Sequence, residues 1–212
     1  MPQPLQRAAA FVLLIVLAPL LAALALTIRL TSPGPVVHRA VRVGSGRTFQ
    51  LVKLRSMRVG SEGPAVTASG DPRVTAVGRL LRRTKLDELP QLWNVVRGDM
   101  LLVGPRPEDP RYVDWEDPLH RLVFSAQPGV TGPAALAFRD EEALLAREAL
   151  SVARQEGRDR VEQADVDRAY RERVLPRKLE LDAEYLRTRS ARGDLVILAR
   201  TIRQVLRGTT DH

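Results

Sequence analysis

Lys85-Leu86-Asp87-Glu88-Leu89-Pro90-Gln91-Leu92-Trp93-Asn94 is followed closely by Gly98-Asp99-Met100 and Gly104-Pro105-Arg106-Pro107. This segment gathers an adjacent carboxylate pair, a helix start and an arginine braced by two prolines. Phosphoryl chemistry uses such parts: a carboxylate that attacks phosphorus or holds a metal, and cations that hold phosphates. On a helix, Asp87 and Glu88 would point about 100° apart and would not share one proton. At a helix N-terminus both would face free backbone N–H groups and the positive dipole end, which predicts an ionised Asp87. Such an aspartate is a nucleophile toward phosphorus or a ligand for Mg²⁺. The same pair is also an ordinary helix cap, with Asp at the N-cap and Glu just inside. Taken alone, it leaves both readings open.

The cations nearby weigh toward chemistry. Arg82, Arg83 and Lys85 precede the pair. Arg106 has little backbone freedom between Pro105 and Pro107, and forked guanidinium groups suit phosphate. Lys53 and Arg55 alternate with Val52 and Leu54, which puts two cations on one strand face. Singly each is a solvated surface charge; together they could surround a diphosphate.

The elements that would position these groups can be read coarsely. Val36 to Arg58 is strand-like, with a hairpin turn at Gly44-Ser45-Gly46. Gly60 to Pro72 reads as a loop, and Val74 to Arg83 as a short basic amphipathic helix. The next helix is expected from near Asp87 to about Val96, ended by Gly98. Met100 to Val103 is a short apolar strand or turn. Glu108 to Leu122 is acidic and interrupted by Pro110 and Pro118. Pro128 to Pro133 is a rigid turn. Residues 140–192 are charged and helix-like. Residues 194–207 form an amphipathic helix with Leu195, Leu198, Ala199, Ile202, Val205 and Leu206 at helical spacing.

Charge is unevenly spread over the 212 residues. The net charge is +8, yet residues 1–107 hold 15 Lys+Arg against 5 Asp+Glu, and residues 108–212 hold 18 against 20. The N-terminal half is thus the basic one, suited to lipid headgroups, nucleotides or nucleic acid. It also begins with an uncharged apolar run, Ala8 to Ile28, bracketed by Arg7 and Arg29. Twenty-one residues of helix span about 30 Å, enough for a bilayer. A signal peptide, a spanning helix and a re-entrant helix compete here. Pro19 keeps the re-entrant form open beside a kinked spanning helix, because it removes a hydrogen bond mid-run. Arg29, Arg39, Arg42 and Arg47 hold the following chain on the cytoplasmic side.

Several chemistries have no support. Cysteine is absent, so there is neither a disulfide nor a thiolate metal site. His38, His120 and His212 are scattered, against a His-based metal site. There is no Walker-type loop, dinucleotide fingerprint or GxSxG elbow. Aromatic residues make up only 4%, too few for a nucleic-acid stacking platform.

Read in order, the motifs resemble a family: the bacterial sugar transferases, or monotopic polyprenyl-phosphate phosphoglycosyl transferases. The resemblance rests on Ser32-Pro33-Gly34-Pro35-Val36, Phe49 to Met57, Val77-Gly78-Arg79-Leu80-Leu81-Arg82, Leu86 to Val96, Gly98-Asp99-Met100 and Val103 to Pro107. Pro128-Gly129-Val130-Thr131-Gly132 and Asp194-Leu195-Val196-Ile197-Leu198 also match. It implies transfer of a sugar-1-phosphate from a UDP-sugar to polyprenyl phosphate in the cytoplasmic leaflet. UMP leaves, Mg²⁺ is present and surface glycan assembly begins. By the same resemblance Asp87 is the nucleophile that becomes a phosphosugar ester, and a metal ligand. Glu88 assists with the metal or the acceptor. Arg82 and Arg106 lie near the nucleotide and phosphates, and Lys53 and Arg55 near the same site.

The fold expected is α/β, mostly helical with a small β-hairpin. Residues 1–30 form a membrane helix, re-entrant and broken at Pro19, and residues 31–212 a catalytic domain in the cytosol. The family break is a Ser-Pro pair; here it is Ala18-Pro19, without the hydroxyl that could re-satisfy freed backbone. After Gly132 the chain departs again, with Pro133-Ala134-Ala135-Leu136 and then the charged stretch 140–192, expected to shape sugar choice or membrane docking. The expected partners are UDP-sugar, polyprenyl phosphate and membrane lipid, without nucleic acid; a homodimer stays open. The rivals are a membrane-anchored, non-catalytic adaptor that binds anionic lipid or nucleic acid, and a hydrolase using the same carboxylates.

Overall fold

A computed structural model describes residues 2–60 and 66–207. Residues 61–65 of the expected loop, and the Leu206 side chain, lie outside the described residues.

The apolar run becomes α1, Gln3–Thr31, a helix assigned without interruption through Pro19. Proline removes one N–H, and the flanking turns carry the helix across it. The expected break is therefore not seen as a gap. Phe11, Val12, Ile15, Val16 and Leu26 point outward and are more than half exposed. A helix of this length and composition, with its apolar side chains outward, associates with lipid.

The hairpin forms as the alternation predicts. β1 (Val37–Gly44) and β2 (Arg47–Leu54) pair antiparallel from Val37↔Leu54 to Gly44↔Arg47. α2 (Ala76–Thr84) follows, capped by the Thr75 hydroxyl, which accepts from Gly78 N at 2.9 Å. Gly78 allows α2 to lie against Ser56, since a Cβ there would collide with the Ser56 carbonyl. A 3₁₀ turn, Leu86–Glu88, leads into α3 (Gln91–Arg97).

β3 (Leu101–Val103) and β4 (Gly129–Thr131) form a short parallel pair. Pro128 to Pro133, read as a turn, thus contains a strand. It is recruited by Leu101 N, which donates to Pro128 O at 2.7 Å, a long-range pairing invisible to local sequence. Between these strands lie a 3₁₀ turn (Pro110–Tyr112) and α4 (Pro118–Ser125), so Glu108 to Leu122 is partly helical, as read. The rest is helical: α5 (Pro133–Ala137), α6 (Glu141–Gln155), α7 (Gln163–Ala169), a π-helical turn (Tyr170–Val174), α8 (Leu175–Thr188) and α9 (Ala191–Arg207).

One apolar cluster joins α4, α6, α7 and α8 around Leu145, Val152, Tyr170 and Val174. A second joins α1, α3, β2 and β3 around Ala10, Leu92, Val95 and Met100. A third, small one joins Ile28, Leu54 and Leu81. The site lies where the hairpin, the α2–α3 connection and the α6–α8 helices meet.

Candidate active site

Asn94 sets the geometry from below. It is fully buried; its Nδ2 donates to Gln50 O at 2.7 Å and its Oδ1 accepts from Val52 N at 3.0 Å. The side-chain amide thereby satisfies the free edge of β2 and locks α3 beside it. Lys53, the next residue along β2, then meets the turn that carries the two carboxylates.

That turn is 3₁₀ rather than the first turn of an α-helix, which corrects the sequence expectation. The cause is Lys85, whose φ of 59° is left-handed; its N–H donates back to Arg82 O at 3.2 Å and closes α2. Left-handed backbone costs a non-glycine residue roughly 1–2 kcal/mol, so strain is held two residues before Asp87. Pro90 follows as the N-cap of α3.

Glu88 is the centre of an ionic group. Its Oε1 accepts from Lys53 Nζ at 3.0 Å and from Arg106 Nη2 at 2.6 Å, and its Oε2 from Arg106 Nη1 at 3.3 Å. Burial pushes the Glu88 carboxyl up, but the Arg106 guanidinium and then the Lys53 ammonium hold it well below the usual carboxylate range. Burial pulls the Lys53 ammonium down, with Glu88 opposing. Glu88 raises Arg106 above its ordinary value, so the guanidinium stays charged.

Asp87 is held differently. It is buried, and its Oδ1 has no hydrogen-bond partner. Burial pushes its carboxyl up, and Lys53 opposes that push while Glu88 adds to it. The helix dipole is thus not the main influence on Asp87: desolvation outweighs the nearby cations and raises the carboxyl above its ordinary value. A buried, unpartnered carboxylate oxygen is costly, and a reacting phosphorus or a cation would relieve it.

Arg106 is aimed by its backbone. The two flanking prolines lack N–H groups, and the one between them donates to Asp182 Oδ2 at 3.0 Å. Asp182 Oδ1 accepts from Ala134 N at 3.2 Å, so α8 ties the arginine loop to the start of α5. Burial pushes the Asp182 carboxyl up to about 6 against these two N–H groups. β4 grips the same loop, through Gly104 N to Thr131 O at 2.9 Å and Gly129 N to Pro105 O at 2.8 Å.

The other two expected cations are engaged elsewhere. Arg82 Nε donates to Glu142 Oε1 at 2.6 Å and its Nη1 to Ser56 Oγ at 3.3 Å. Arg55 lines the site cavity, but its Nη1 donates to Pro33 O at 2.5 Å and its Nη2 to Ser32 O at 2.7 Å. Both terminal nitrogens thus clamp the exit from α1. Gly34 belongs to that clamp: its φ is 108°, and a Cβ there would collide with the Arg55 guanidinium.

A cavity of about 460 Å³ joins these residues. Its lining carries the cations Lys53, Arg82, Lys85 and Arg106, and also Glu108, Glu141 and Glu142 with Tyr170 and Lys178. Lys178 Nζ donates to Tyr170 OH at 2.8 Å and to Glu141 Oε1 at 3.1 Å, and Tyr170 OH donates to Glu108. These acidic groups and Asp182 were not foreseen. Charge density marked residues 140–192 as helical, but only packing shows which carboxylates turn inward. Tyr170 opens the π-helical turn, a distortion often found at functional sites.

Among the described residues no group of three or more His, Asp or Glu could cage a metal. Mg²⁺ does not need one, since it commonly takes one or two carboxylates, waters and substrate phosphates. Asp87, with an open buried oxygen, fits that use. Glu88, with both oxygens in ion pairs, fits it less well.

Comparison with known proteins gives the family. The family model described as bacterial sugar transferase matches residues 3–208, and the chain belongs to that family. It is 38% identical over 211 residues to a UDP-glucose:undecaprenyl-phosphate glucose-1-phosphate transferase of Caulobacter vibrioides, covering 96% of this chain and 68% of that protein. It is 36% identical to a UDP-N-acetylgalactosamine-undecaprenyl-phosphate N-acetylgalactosaminephosphotransferase of Aeromonas hydrophila, over 94% of this chain and 42% of the relative. A UDP-glucose:undecaprenyl-phosphate glucose-1-phosphate transferase of Escherichia coli is 34% identical, over 91% and 37%. The chain therefore spans less than half the length of the last two.

Proposed function

We propose that this chain transfers a sugar-1-phosphate from a UDP-sugar to a polyprenyl phosphate at the cytoplasmic face of the bacterial membrane, and so begins a surface glycan. One observation carries the reading: a buried aspartate with an open oxygen stands beside an ionised Lys53–Glu88–Arg106 group, in a chain matched nearly end to end by the family.

An Asp87 oxygen attacks the sugar-linked phosphorus. The anhydride bond to the uridine-linked phosphorus breaks, and UMP leaves with the bridging oxygen. The sugar phosphate is then an ester of Asp87. An oxygen of the lipid phosphate attacks the same phosphorus, the Asp87 carboxylate leaves, and a diphosphate-linked sugar lipid forms. Lys53 and Arg106 hold charge on the phosphoryl oxygens, and Glu88 keeps those two cations in place. The Asp87 carboxylate is also the group that would hold Mg²⁺, whose chemistry is to offset diphosphate charge.

Both ends of α1 dock on the catalytic body, which supports a re-entrant path. Gln3 Nε2 donates to Gln127 at 2.7 Å, Gln6 Oε1 accepts from Leu102 N at 2.9 Å, and Arg7 Nε donates to Val96 O at 2.8 Å. At the other end Ile28 packs with Leu54 and Leu81. A straight span would carry one end about 30 Å across the lipid core, away from those partners. We read residues 1–30 as entering and leaving the cytoplasmic leaflet, and residues 31–212 as the cytosolic domain.

The test is UMP release by detergent-solubilised protein with Mg²⁺, polyprenyl phosphate and a panel of UDP-sugars. Release that needs the lipid and disappears in Asp87→Asn upholds the proposal and identifies the sugar. An adaptor would release no UMP, and a hydrolase would release it without the lipid.

A further inference from the structure

A second cavity, of about 590 Å³, lies beside the first. Arg58, Arg82, Lys85 and Glu142 line both, so the Arg82–Glu142 ion pair stands in the shared wall. The second cavity adds Arg79, Arg83 and Arg139. Against these six cations stand three carboxylates, Asp71, Asp140 and Glu142. Two of them are already engaged: Asp71 with Arg73 at 2.6 Å and Glu142 with Arg82 at 2.6 Å. The cavity therefore carries a positive excess.

Arg139 makes that excess informative. Its Nε and Nη2 are buried and have no hydrogen-bond partner. Charged donors left unsatisfied in a protein interior are expensive, and a bound anion is one arrangement that satisfies them. The position of α2 narrows the choice of anion. α2 supplies Arg79, Arg82 and Arg83, and its Leu81 packs on Ile28 in the last turns of the apolar helix. The cavity thus adjoins a helix that packs on the last turns of the apolar α1, and if α1 leaves the lipid there, lipid phosphates would stand beside it.

We propose that this cavity binds the phosphate of a lipid, with Arg139 as its inner ligand, and delivers it to Asp87 past the Arg82–Glu142 pair. The inference rests on the transferase reading in taking the acceptor's phosphate monoester as occupant. A phospholipid headgroup offers the same oxyanion chemistry as a diester. A monoester dianion matches a positive lining better than a singly charged diester does.

The test needs no turnover. ³¹P NMR would follow the full-length protein in neutral detergent titrated with geranyl phosphate, and separately with a short-chain phosphatidylglycerol. Wild type is expected to bind geranyl phosphate about tenfold more tightly than Arg139→Gln, with Arg139→Lys recovering part of the difference. Kinetics on the same variants should show the KM for the lipid acceptor raised about tenfold in Arg139→Gln and the KM for UDP-sugar unchanged. Equal loss of both phosphates in Arg139→Gln would keep the cavity and assign it to headgroups. Geranyl phosphate binding equal in wild type and a folded Arg139→Gln would overturn the inference. Failure of wild type to release UMP would sink the transferase reading and leave the binding result to decide this one.

Discussion

Two segments build one cavity and do so in opposite ways. Residues 85–107 supply Asp87, Glu88 and Arg106 from a strained turn and a Pro-braced loop, where backbone conformation aims each group. Residues 139–182 supply Glu141, Glu142, Tyr170 and Lys178 to the same lining, and hold the Arg106 loop through Asp182, from helices and their ends, where tertiary packing does the aiming. In the proposed reaction the first segment carries the bond-making oxygen, and the second holds the Arg106 loop in place through Asp182.

If that division holds, the largest losses lie in the first segment. Asp87→Asn should lower UMP release by about 10³-fold or more, because the attacking oxygen is gone. The donor half-reaction in wild type should rise with pH, since burial pushes Asp87 up and only its ionised form attacks. A flat profile would show that Asp87 is already ionised once donor and metal bind.

Arg106→Gln should cost on the order of 10²-fold in kcat, the scale of removing one preorganised charge from a phosphoryl site. Arg106→Lys should recover little, because the bidentate grip on Glu88, at 2.6 and 3.3 Å, needs the guanidinium fork. Equal activity in Arg106→Lys would break the claim that shape matters there as well as charge.

Asp182→Asn probes the second segment's hold on the first. One amide cannot accept from both Arg106 N and Ala134 N, so kcat should fall roughly tenfold while the protein stays folded. The stability effect has a defined sign. The carboxyl is raised from 3.8 to about 6 by burial, with Lys178 and Arg106 opposing. Its contribution is fully present below pH 4 and is lost as pH rises through about 6. With each tenfold in proton affinity counting about 1.4 kcal/mol, the change is roughly 3 kcal/mol. Thermal unfolding of wild type between pH 4 and 7 should show that component, and Asp182→Asn should lack it.

The smallest expected effect concerns α1. The chain has no cysteine, so Gln3→Cys and Ser32→Cys can be labelled without background. Both should react from the cytoplasmic side of inverted vesicles, with activity nearly unchanged. Labelling of the two from opposite sides would show a spanning helix.

The catalytic half of the site was legible because its signals are local. An acidic pair between α2 and α3, a proline on either side of Arg106 and alternation around Lys53 all state their geometry within a few residues. The hairpin and α2 were legible for the same reason. The partners of Arg55 were hidden, since strand alternation gives a face but not the carbonyls of Ser32 and Pro33 waiting there. β4 was hidden because three residues become a strand only through a distant partner. Asp182 and the Glu108–Tyr170–Lys178 group were hidden because a charged helix does not announce which of its charges it buries. Asp87's raised pKa followed from burial, which no dipole argument at sequence level could weigh.

The central claim is a covalent phosphosugar on Asp87, and intact-mass measurement without lipid acceptor tests it most directly. Wild type mixed with Mg²⁺ and a reactive UDP-sugar should gain one sugar phosphate, release an equal amount of UMP and lose the adduct when polyprenyl phosphate is added. Asp87→Asn should gain nothing. Full turnover with lipid but no adduct and no UMP burst in its absence would contradict the account and point to direct attack by the lipid phosphate on the donor.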